Sequence, residues 1–183
     1  MELTEKKLKS EHIYDGRVFK LTVDTVKLPD GNESTRQVAH HNGGVTVLPV
    51  FDDGMTVLVK QFRYPIGRVT IEAPAGKLEK DEDHYLAAIR ELKEETGITA
   101  DKLTYCGAIC PSPGYCTEML HIYVATGLTE GENCPDEDEF LNVIKMPIDE
   151  LISKIMKNEI QDSKTIAVAF MAEKMLNKQE ALL

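Results

Sequence analysis

The chain has 183 residues, of which 42% are hydrophobic and 28% charged, a composition that supports a packed core rather than a disordered chain. Acidic residues number 31 and basic residues 21, and the formal net charge of −10 disfavours general binding to a nucleic-acid backbone. The N-terminus has no apolar stretch typical of a secretory signal, and every apolar run is too short to span a bilayer. We therefore expect a cytoplasmic protein that binds neither nucleic acid nor membrane.

The first third of the chain has the pattern of β-strands. A turn of sequence PDGNE has hairpin chemistry and separates the first two predicted strands. The predicted strands are Arg17–Leu28, Ser34–His41, Val45–Phe51, Thr56–Gln61 and Val69–Ala73.

The middle of the chain changes to helical periodicity. Strong helix formers run from about Asp83 to Thr96, either Asp81 or Asp83 suits the N-cap, and Gly97 suits a left-handed C-terminal turn. Four residues recur at helical spacing and predict one apolar face: Tyr85, Ala88, Ile89 and Leu92.

The last third mixes strands and helices. Strands are predicted near Lys102–Ala108, Leu120–Ala125 and Phe140–Lys145, and helices over Pro147–Lys157 and Ser163–Asn177. This element order predicts an α/β (α+β) fold with a mixed sheet and helices on its faces. The four cysteines form no CxxC pair, so we expect reduced thiols in or near the core: Cys106, Cys110, Cys116 and Cys134.

Three glutamates share one side of the central helix. At 100° per residue, Glu91, Glu94 and Glu95 fall within an arc of about 100°. Like charges at this spacing repel each other. One interpretation is a solvated acidic face, which is the usual meaning of a charge run. The other is a site for a hard divalent cation such as Mg²⁺, which prefers oxygen ligands.

A longer motif surrounds these glutamates and favours the metal interpretation. The pattern Gly76-x5-Glu82-x7-Arg90-Glu91-Leu92-x-Glu94-Glu95-x-Gly97-Ile98 resembles the complete signature of the Nudix hydrolases. A chance match of its seven fixed residues in one register has a probability of about 10⁻⁸ or less. The resemblance implies a Nudix-type α/β/α sandwich with a mixed sheet, and hydrolysis of a nucleoside diphosphate linked to another group.

The resemblance also implies roles for individual residues. Glu91, Glu94, Glu95 and the carbonyl of Ala75 resemble the ligands of Mg²⁺ or Mn²⁺, and Arg90 and Glu82 resemble the pair that orients the glutamates. In the acidic segment PDEDEF, Glu139 resembles a catalytic glutamate that holds water or metal, and Glu137 is the alternative. The catalytic set implied is Glu139, Glu94, Glu91, Glu95 and Arg90.

Further segments resemble the ADP-ribose pyrophosphatases within this family. Pro113, in the sequence SPG-x3-E, lies sixteen residues beyond Gly97, and the sequence VKQFRYP contains Arg63. A bidentate guanidinium suits phosphate, although each segment also has an ordinary structural interpretation as a turn or a surface ion pair. The substrate-binding residues implied are Arg36, Arg63, Ser112, Pro113, Gly114 and Glu118.

The N-terminal residues resemble the extra β subdomain of these pyrophosphatases, which implies a homodimer. We expect a small β subdomain over residues 1–42 and a catalytic domain over residues 43–183. Tyr14 or Phe19 would contact adenine, with core packing as the alternative. His40 and His41 form a poor chelating pair because neighbouring strand residues point to opposite faces.

The function implied is Mg²⁺-dependent hydrolysis of ADP-ribose to AMP and ribose 5-phosphate. One alternative is the same chemistry on a nucleotide sugar or a dinucleoside polyphosphate. The other is a non-catalytic module that binds ADP-ribose, although the intact set of glutamates opposes it.

Overall fold

The computed structural model describes residues 2–134 and 140–180, with side chains up to residue 176. Contacts divide the chain into two units. The first comprises Met1–Gly43 with Cys110–Met119, and the second comprises Gly44–Ile109 with Leu120–Leu183.

The first unit contains an antiparallel sheet in the order β1-β2-β3, with β1 at Lys6–Asp15, β2 at Lys20–Lys27 and β3 at Glu33–His40. Between β2 and β3 the chain reverses at Gly31, whose φ of 91° favours glycine. The sequence did not predict β1, because its charged residues lack the period-2 alternation of a half-buried strand. All ten residues of β1 are exposed, so pairing with β2 forms the strand without burial.

In the part of the chain that the structure describes, the second unit contains seven strands and three α-helices. Its strands are β4 (Gly44–Pro49), β5 (Met55–Arg63), β6 (Arg68–Glu72), β7 (Ala75–Lys77), β8 (Thr99–Ile109), β9 (Leu120–Thr129) and β10 (Leu141–Pro147). Its helices are α1 (His84–Thr96), α2 (Ile148–Met156) and α3 (Ser163–Glu180). The sequence missed β7, because three residues are too short for a periodic pattern.

The strands of the second unit form two sheets, in the orders β10-β5-β6 and β7-β4-β9-β8. In the second sheet β4 pairs parallel with β9, whereas β7 and β8 pair antiparallel with their neighbours. The predicted mixed sheet is therefore confirmed.

Helices cover both faces of this mixed sheet. Val45 and Val47 of β4 pack in one core with Ala88 and Leu92 of α1. Successive strand residues alternate faces, and the β4 residue Leu48 belongs to a second core with residues of α2 and α3. The predicted α/β/α sandwich is confirmed.

The four cysteines are all free thiols. Cys106 packs against the core as expected, but Cys110 and Cys134 are exposed, so the core prediction is wrong for these two. Both lie in irregular chain segments next to strands, where a small apolar side chain has no sheet face to cover it. Among the described residues no helix combines the length and apolarity needed to cross a membrane.

Candidate active site

Local sequence signals set both ends of helix α1. Asp83, rather than Asp81, is the N-cap, and its Oδ1 accepts hydrogen bonds from the backbone N–H groups of Tyr85 (2.9 Å) and Leu86 (3.1 Å). Asp81 instead has φ 62° in the preceding turn. At the other end Gly97 has φ 75°, and its N–H donates to the Lys93 carbonyl at 2.8 Å.

The buried face of α1 differs from the predicted apolar face. Ala88 and Leu92 are buried as expected, but Tyr85 and Ile89 are exposed. The small side chains of Ala87 and Ala88 let the helix lie close to the sheet. The buried face of the helix is therefore displaced by about one residue from the predicted face. This rotation buries two glutamates, with Glu91 at 9% and Glu95 at 2% exposure. A solvated acidic face is therefore the wrong interpretation for these two.

Arg90 joins three of the carboxylates. Its Nε and Nη2 donate to the two oxygens of Glu82 at 3.0 and 3.1 Å. Its Nη1 donates to Glu91 Oε1 at 2.8 Å and to Glu94 Oε2 at 2.9 Å. We call Glu82, Arg90, Glu91, Glu94 and Glu95 the glutamate cluster.

The hydrogen bonds between Glu82 and Arg90 favour the charged form of both groups. The bond from Arg90 holds the pKa of Glu82 below its usual value. The hydrogen bonds and charges of Glu82, Glu91 and Glu94 in turn raise the pKa of Arg90 above its usual value, despite the opposing effect of burial. A planar guanidinium suits this fork-like bonding, which a lysine ammonium does not reproduce.

The backbone of β7 supports the two buried glutamates. The Ala75 N–H donates to Glu95 Oε2 at 3.0 Å. A Cβ added at Gly76 would overlap the Glu91 carboxylate, so glycine is required here for the close approach of a side chain. Strand β7 thus places Glu91 and Glu95 side by side against one backbone segment.

The donor atoms of this cluster fit a hard divalent cation, since carboxylate oxygens are the ligands that Mg²⁺ prefers. The Gly76 contact and the Ala75 hydrogen bond hold Glu91 and Glu95 in place. Among the described side chains, those of residues 2–134 and 140–176, however, no three His, Cys, Asp or Glu side chains form a ready group for a metal ion. Instead, Nη1 of Arg90 donates hydrogen bonds to both Glu91 and Glu94.

Arg63 belongs to a second charged group in the same unit. Its Nε and Nη2 donate to Glu72 Oε1 and Oε2 at 2.7 and 2.6 Å. Glu72 also accepts from Thr70 and from Lys164, which in turn donates to Asp162 at 3.0 Å. We call Arg63, Glu72, Asp162 and Lys164 the Glu72 network.

Glu72 is 1% exposed and still ionised. Burial alone would raise its pKa, but the hydrogen bonds from Arg63 and the charge of Lys164 outweigh burial and lower the pKa to about 2. Glu72 raises the pKa of Arg63 in turn, and the charges of Asp162 and Glu95 add to that effect. Glu72 was not among the predicted functional residues, although an acidic residue inside an apolar strand pattern was a usable signal.

Arg36 and the segment around Pro113 lie in the other unit. The Arg36 guanidinium forms a salt bridge with Glu5, with Nε donating to Oε2 at 2.9 Å. Ser112 accepts turn hydrogen bonds from Tyr115 and Cys116, and Pro113 and Gly114 are exposed. Glu118 Oε1 lies 3.6 Å from His41 Nδ1.

Other sequence predictions have mixed outcomes. Tyr14 and Phe19 have ring centroids 6.0 Å apart and are both exposed, so core packing is the wrong alternative for them. His40 and His41 have separate partners, Thr22 and Gly43, as expected of a poor chelating pair. The predicted Glu139 and its alternative Glu137 lie outside the described residues.

The sequence reasoning also missed a cluster of aromatic and imidazole rings beside α1. The His84 and His121 rings stack with centroids 4.0 Å apart and an interplanar angle of 5°. His84 Nδ1 is hydrogen-bonded to the hydroxyl of Tyr123, and His121 Nδ1 is 3.1 Å from the Tyr105 hydroxyl. Burial, followed by the nearby His84, lowers the pKa of His121. These contacts tie the start of α1 to strands β8 and β9.

Comparison with known proteins agrees with this fold. Residues 40–168 match the family model described as the NUDIX domain, and residues 5–39 match that of the nucleoside diphosphate sugar hydrolase N-terminal domain. The chain therefore belongs to the NUDIX domain family, and the predicted resemblance to Nudix hydrolases is confirmed.

Two relatives are similar over most of the chain. A Bacillus methanolicus protein named methanol dehydrogenase activator is 43% identical over 180 residues, covering 97% of this chain and 95% of the relative. An ADP-ribose pyrophosphatase of Bacillus subtilis is 43% identical over 165 residues, covering 89% of each. A solved structure described as an ADP compounds hydrolase aligns with a TM-score of 0.84 over 98% of both chains. At 22% identity it supports the fold alone.

Proposed function

We propose that this protein is a divalent-metal-dependent pyrophosphatase that hydrolyses ADP-ribose to AMP and ribose 5-phosphate, with Mg²⁺ as the metal. The observation that carries the proposal is the glutamate cluster, in which Arg90 joins Glu82, Glu91 and Glu94 while Ala75 supports Glu95. Such an arrangement holds several carboxylates together at the edge of a rigid helix. Structural packing alone does not require this concentration of negative charge.

The metal site would comprise Glu91, Glu94, Glu95, the carbonyl of Ala75 and Glu139. A bound divalent ion supplies charge neutralisation of the pyrophosphate and a lower pKa for water. Arg90 and Glu82 orient the carboxylates, which is a role that commonly changes metal affinity or activity by about 10- to 100-fold. Glu139 would hold the attacking water, with Glu137 as the alternative.

Arg63 would bind a phosphate oxygen of the substrate. Two of its three nitrogens are occupied by Glu72. Its Nη1 has no hydrogen-bond partner among the residues that the structure describes, and the side chain is 41% exposed. A guanidinium fixed on one side and open on the other suits a phosphate contact.

The reaction balances without a co-reactant beyond water. Water adds hydroxide to one phosphorus and a proton to the bridging oxygen, and the P–O–P linkage breaks into two phosphate monoesters. The proposed substrate contacts in the other unit are Arg36, Ser112, Pro113, Gly114 and Glu118. Their sequence setting and the Bacillus subtilis relative support ADP-ribose over nucleotide sugars and dinucleoside polyphosphates.

We place this activity in a cytoplasmic homodimer. The four cysteines are free thiols, which persist in a reducing compartment. All of β1 is exposed, including Leu8, Ile13 and Tyr14. A second copy of the chain is the occupant proposed for this strand, because an uncovered edge with apolar side chains favours pairing. Light scattering after size exclusion would give twice the chain mass, and Ile13→Lys should shift the protein to the monomer.

A substrate panel tests the proposed activity. Alkaline phosphatase releases phosphate from AMP and ribose 5-phosphate but not from an intact pyrophosphate diester, so coupled phosphate release reports cleavage. The panel contains ADP-ribose, ADP-glucose, GDP-mannose, diadenosine polyphosphates and NADH, each with Mg²⁺ and with EDTA.

We expect the highest kcat/KM for ADP-ribose and no turnover in EDTA. Mg²⁺-dependent turnover that favours another compound would overturn the ADP-ribose assignment and retain the metal chemistry. No turnover on any compound would overturn both. Isothermal titration with ADP-ribose would then test the non-catalytic module, and stimulation of a methanol dehydrogenase would test the activity named for the Bacillus methanolicus relative.

A further inference from the structure

The first turn of helix α3 is built around Asp162. Its Oδ2 accepts hydrogen bonds from the Thr165 N–H at 3.0 Å and the Thr165 hydroxyl at 2.6 Å. Its Oδ1 accepts from Lys164 Nζ at 3.0 Å. One carboxylate therefore caps the helix and fixes the direction of the Lys164 side chain.

Lys164 reaches from this turn to strand β6. It is 8% exposed, and its ammonium is hydrogen-bonded to Glu72, which is 1% exposed. A buried charge without a partner is costly, so each of these two groups constrains where the other can lie. Glu72 in turn receives both Nε and Nη2 of Arg63.

The same turn also fixes the chain next to the glutamate cluster. The Ala73 N–H donates to the Thr165 hydroxyl at 2.8 Å, and both residues are buried. Two residues further along, the Ala75 N–H donates to Glu95 at 3.0 Å. Lys164 and Thr165, at the start of α3, thus each contact the Glu72–Ala75 segment. The same segment bonds the Arg63 guanidinium through Glu72 and the Glu95 carboxylate through the Ala75 N–H.

We propose that Lys164 is a positioning residue for pyrophosphate hydrolysis, which acts through Glu72 to hold the Arg63 guanidinium in the orientation that receives a substrate phosphate. The inference rests on the proposed function. Four donor groups surround the Glu72 carboxylate, two from Arg63 and one each from Lys164 and Thr70. Without Lys164, the Glu72 carboxylate loses the donor that fixes its position, so the hydrogen bonds that it accepts from Arg63 are no longer held in one geometry and open to water more often.

Steady-state kinetics with ADP-ribose tests the proposal. Lys164→Met should raise KM about tenfold with kcat within twofold, because a phosphate contact present in ground and transition states affects KM alone. Lys154→Met is the matched control, because Lys154 also pairs with two carboxylates, Glu150 and Glu159, but on helix α2. Its kinetic constants should equal those of the wild type.

A double-mutant cycle separates positioning from general stability. If Lys164 acts through Arg63, Lys164→Met should change KM less than twofold in an Arg63→Met background. A KM that is unchanged by Lys164→Met alone overturns the proposal, and so does an equal KM increase in both backgrounds. Lys164→Gln, which keeps a hydrogen-bond donor without the charge, replaces Lys164→Met if that variant does not fold.

A substrate-free measurement distinguishes failure of this inference from failure of the proposed function. In ¹⁵N-labelled protein, the Arg63 Nε–H resonance is assigned by its loss in Arg63→Lys. Its exchange with solvent should be about tenfold faster in Lys164→Met and unchanged in Lys154→Met, since loss of a fixed hydrogen bond opens the group to water. Faster exchange without any turnover in wild-type protein would retain the positioning role and reject the proposed reaction. Unchanged exchange would reject the positioning role.

Discussion

The two charged groups of the second unit have similar chemistry and different charge balance. In the glutamate cluster, the hydrogen bonds of one guanidinium are shared among three carboxylates, those of Glu82, Glu91 and Glu94. In the Glu72 network, Arg63 and Lys164 are matched by Glu72 and Asp162. Both groups are partly buried. The Glu72–Ala75 segment takes part in both, because Glu72 belongs to the Glu72 network and the Ala75 N–H donates to Glu95 of the glutamate cluster.

This difference separates a candidate metal site from a network that supports a proposed substrate contact. A balanced set satisfies its own charges and therefore contributes to the stability of the fold at neutral pH. A set with excess carboxylates repels itself and is suited to an added cation. Substitution of glutamate by glutamine should therefore mainly lower kcat in the glutamate cluster and mainly lower the free energy of unfolding in the Glu72 network.

The largest effect is expected at Glu95. Glu95→Gln keeps an oxygen that can accept the Ala75 N–H but removes a charge that would bind the metal. We expect kcat for ADP-ribose to fall about 10³-fold, because metal stabilisation of transition-state charge is worth several kcal/mol. The thermal midpoint should change little.

Glu150→Gln is the control for this change, because Glu150 is a surface residue paired with Lys154 on α2. Its kcat should equal the wild-type value. Wild-type turnover by Glu95→Gln at saturating Mg²⁺ would remove Glu95 from the metal site and break the comparison.

Glu72 should show the reverse pattern, a loss of stability that depends on pH. Its pKa of about 2 lies below its usual value, so its ionised form stabilises the fold fully above about pH 4.5, and this contribution is lost as the pH falls toward 2. At pH 7, Glu72→Gln should lower the free energy of unfolding by up to about 3 kcal/mol.

Urea unfolding at pH 7, 5 and 3 measures this difference. The gap between wild type and Glu72→Gln should narrow with acid, because protonated Glu72 and glutamine both lack the charge. A gap of constant size across this range would show that the ionised carboxylate is not the source of the stability.

Gly76→Ala tests how closely the glutamate cluster depends on backbone shape. The added methyl would overlap the Glu91 carboxylate. We expect kcat to fall about 100-fold, the loss that a misplacement of 1 Å can cause. In a Glu91→Ala background the same change should cost less than twofold, and an undiminished loss there would assign the effect to another contact.

The smallest effect is expected at the helix cap. Asp83→Ala removes the acceptor for the N–H groups of Tyr85 and Leu86. It should cost about 1 kcal/mol of stability, or roughly 2–4 °C in Tm, with kcat unchanged. Asp83→Asn retains an acceptor and should restore most of the loss. A large decrease in kcat for Asp83→Ala would show that the glutamates depend on the cap as well as on β7.

Helix α1 was predictable because its signals are local. The helix formers, the Asp83 cap and the Gly97 turn all lie within about four turns of chain, and the observed bounds His84–Thr96 follow them. Its orientation was less predictable. Which residues face the sheet depends on how closely Ala87 and Ala88 allow the helix to approach, and that is decided by tertiary packing.

The Glu72 network was not predictable from the sequence, because its members are distant along the chain. Lys164 and Glu72 are 92 positions apart, so neither local sequence pattern indicates that the two side chains pair. Strand β1 was missed for a related reason, since its pairing with β2 supplies a strand that its own residues do not indicate. The roles of all the predicted site residues stay predictions.

The separation of Glu72 from Lys164 also has a consequence for biosynthesis. During translation β6 is made long before the first turn of α3, so the Glu72 carboxylate has no contact with the Lys164 ammonium until that turn has been synthesised. Contacts between distant segments form late because the chain between them must first be closed into a loop. The nascent chain should therefore orient Arg63 only after the first turn of helix α3 has left the ribosome.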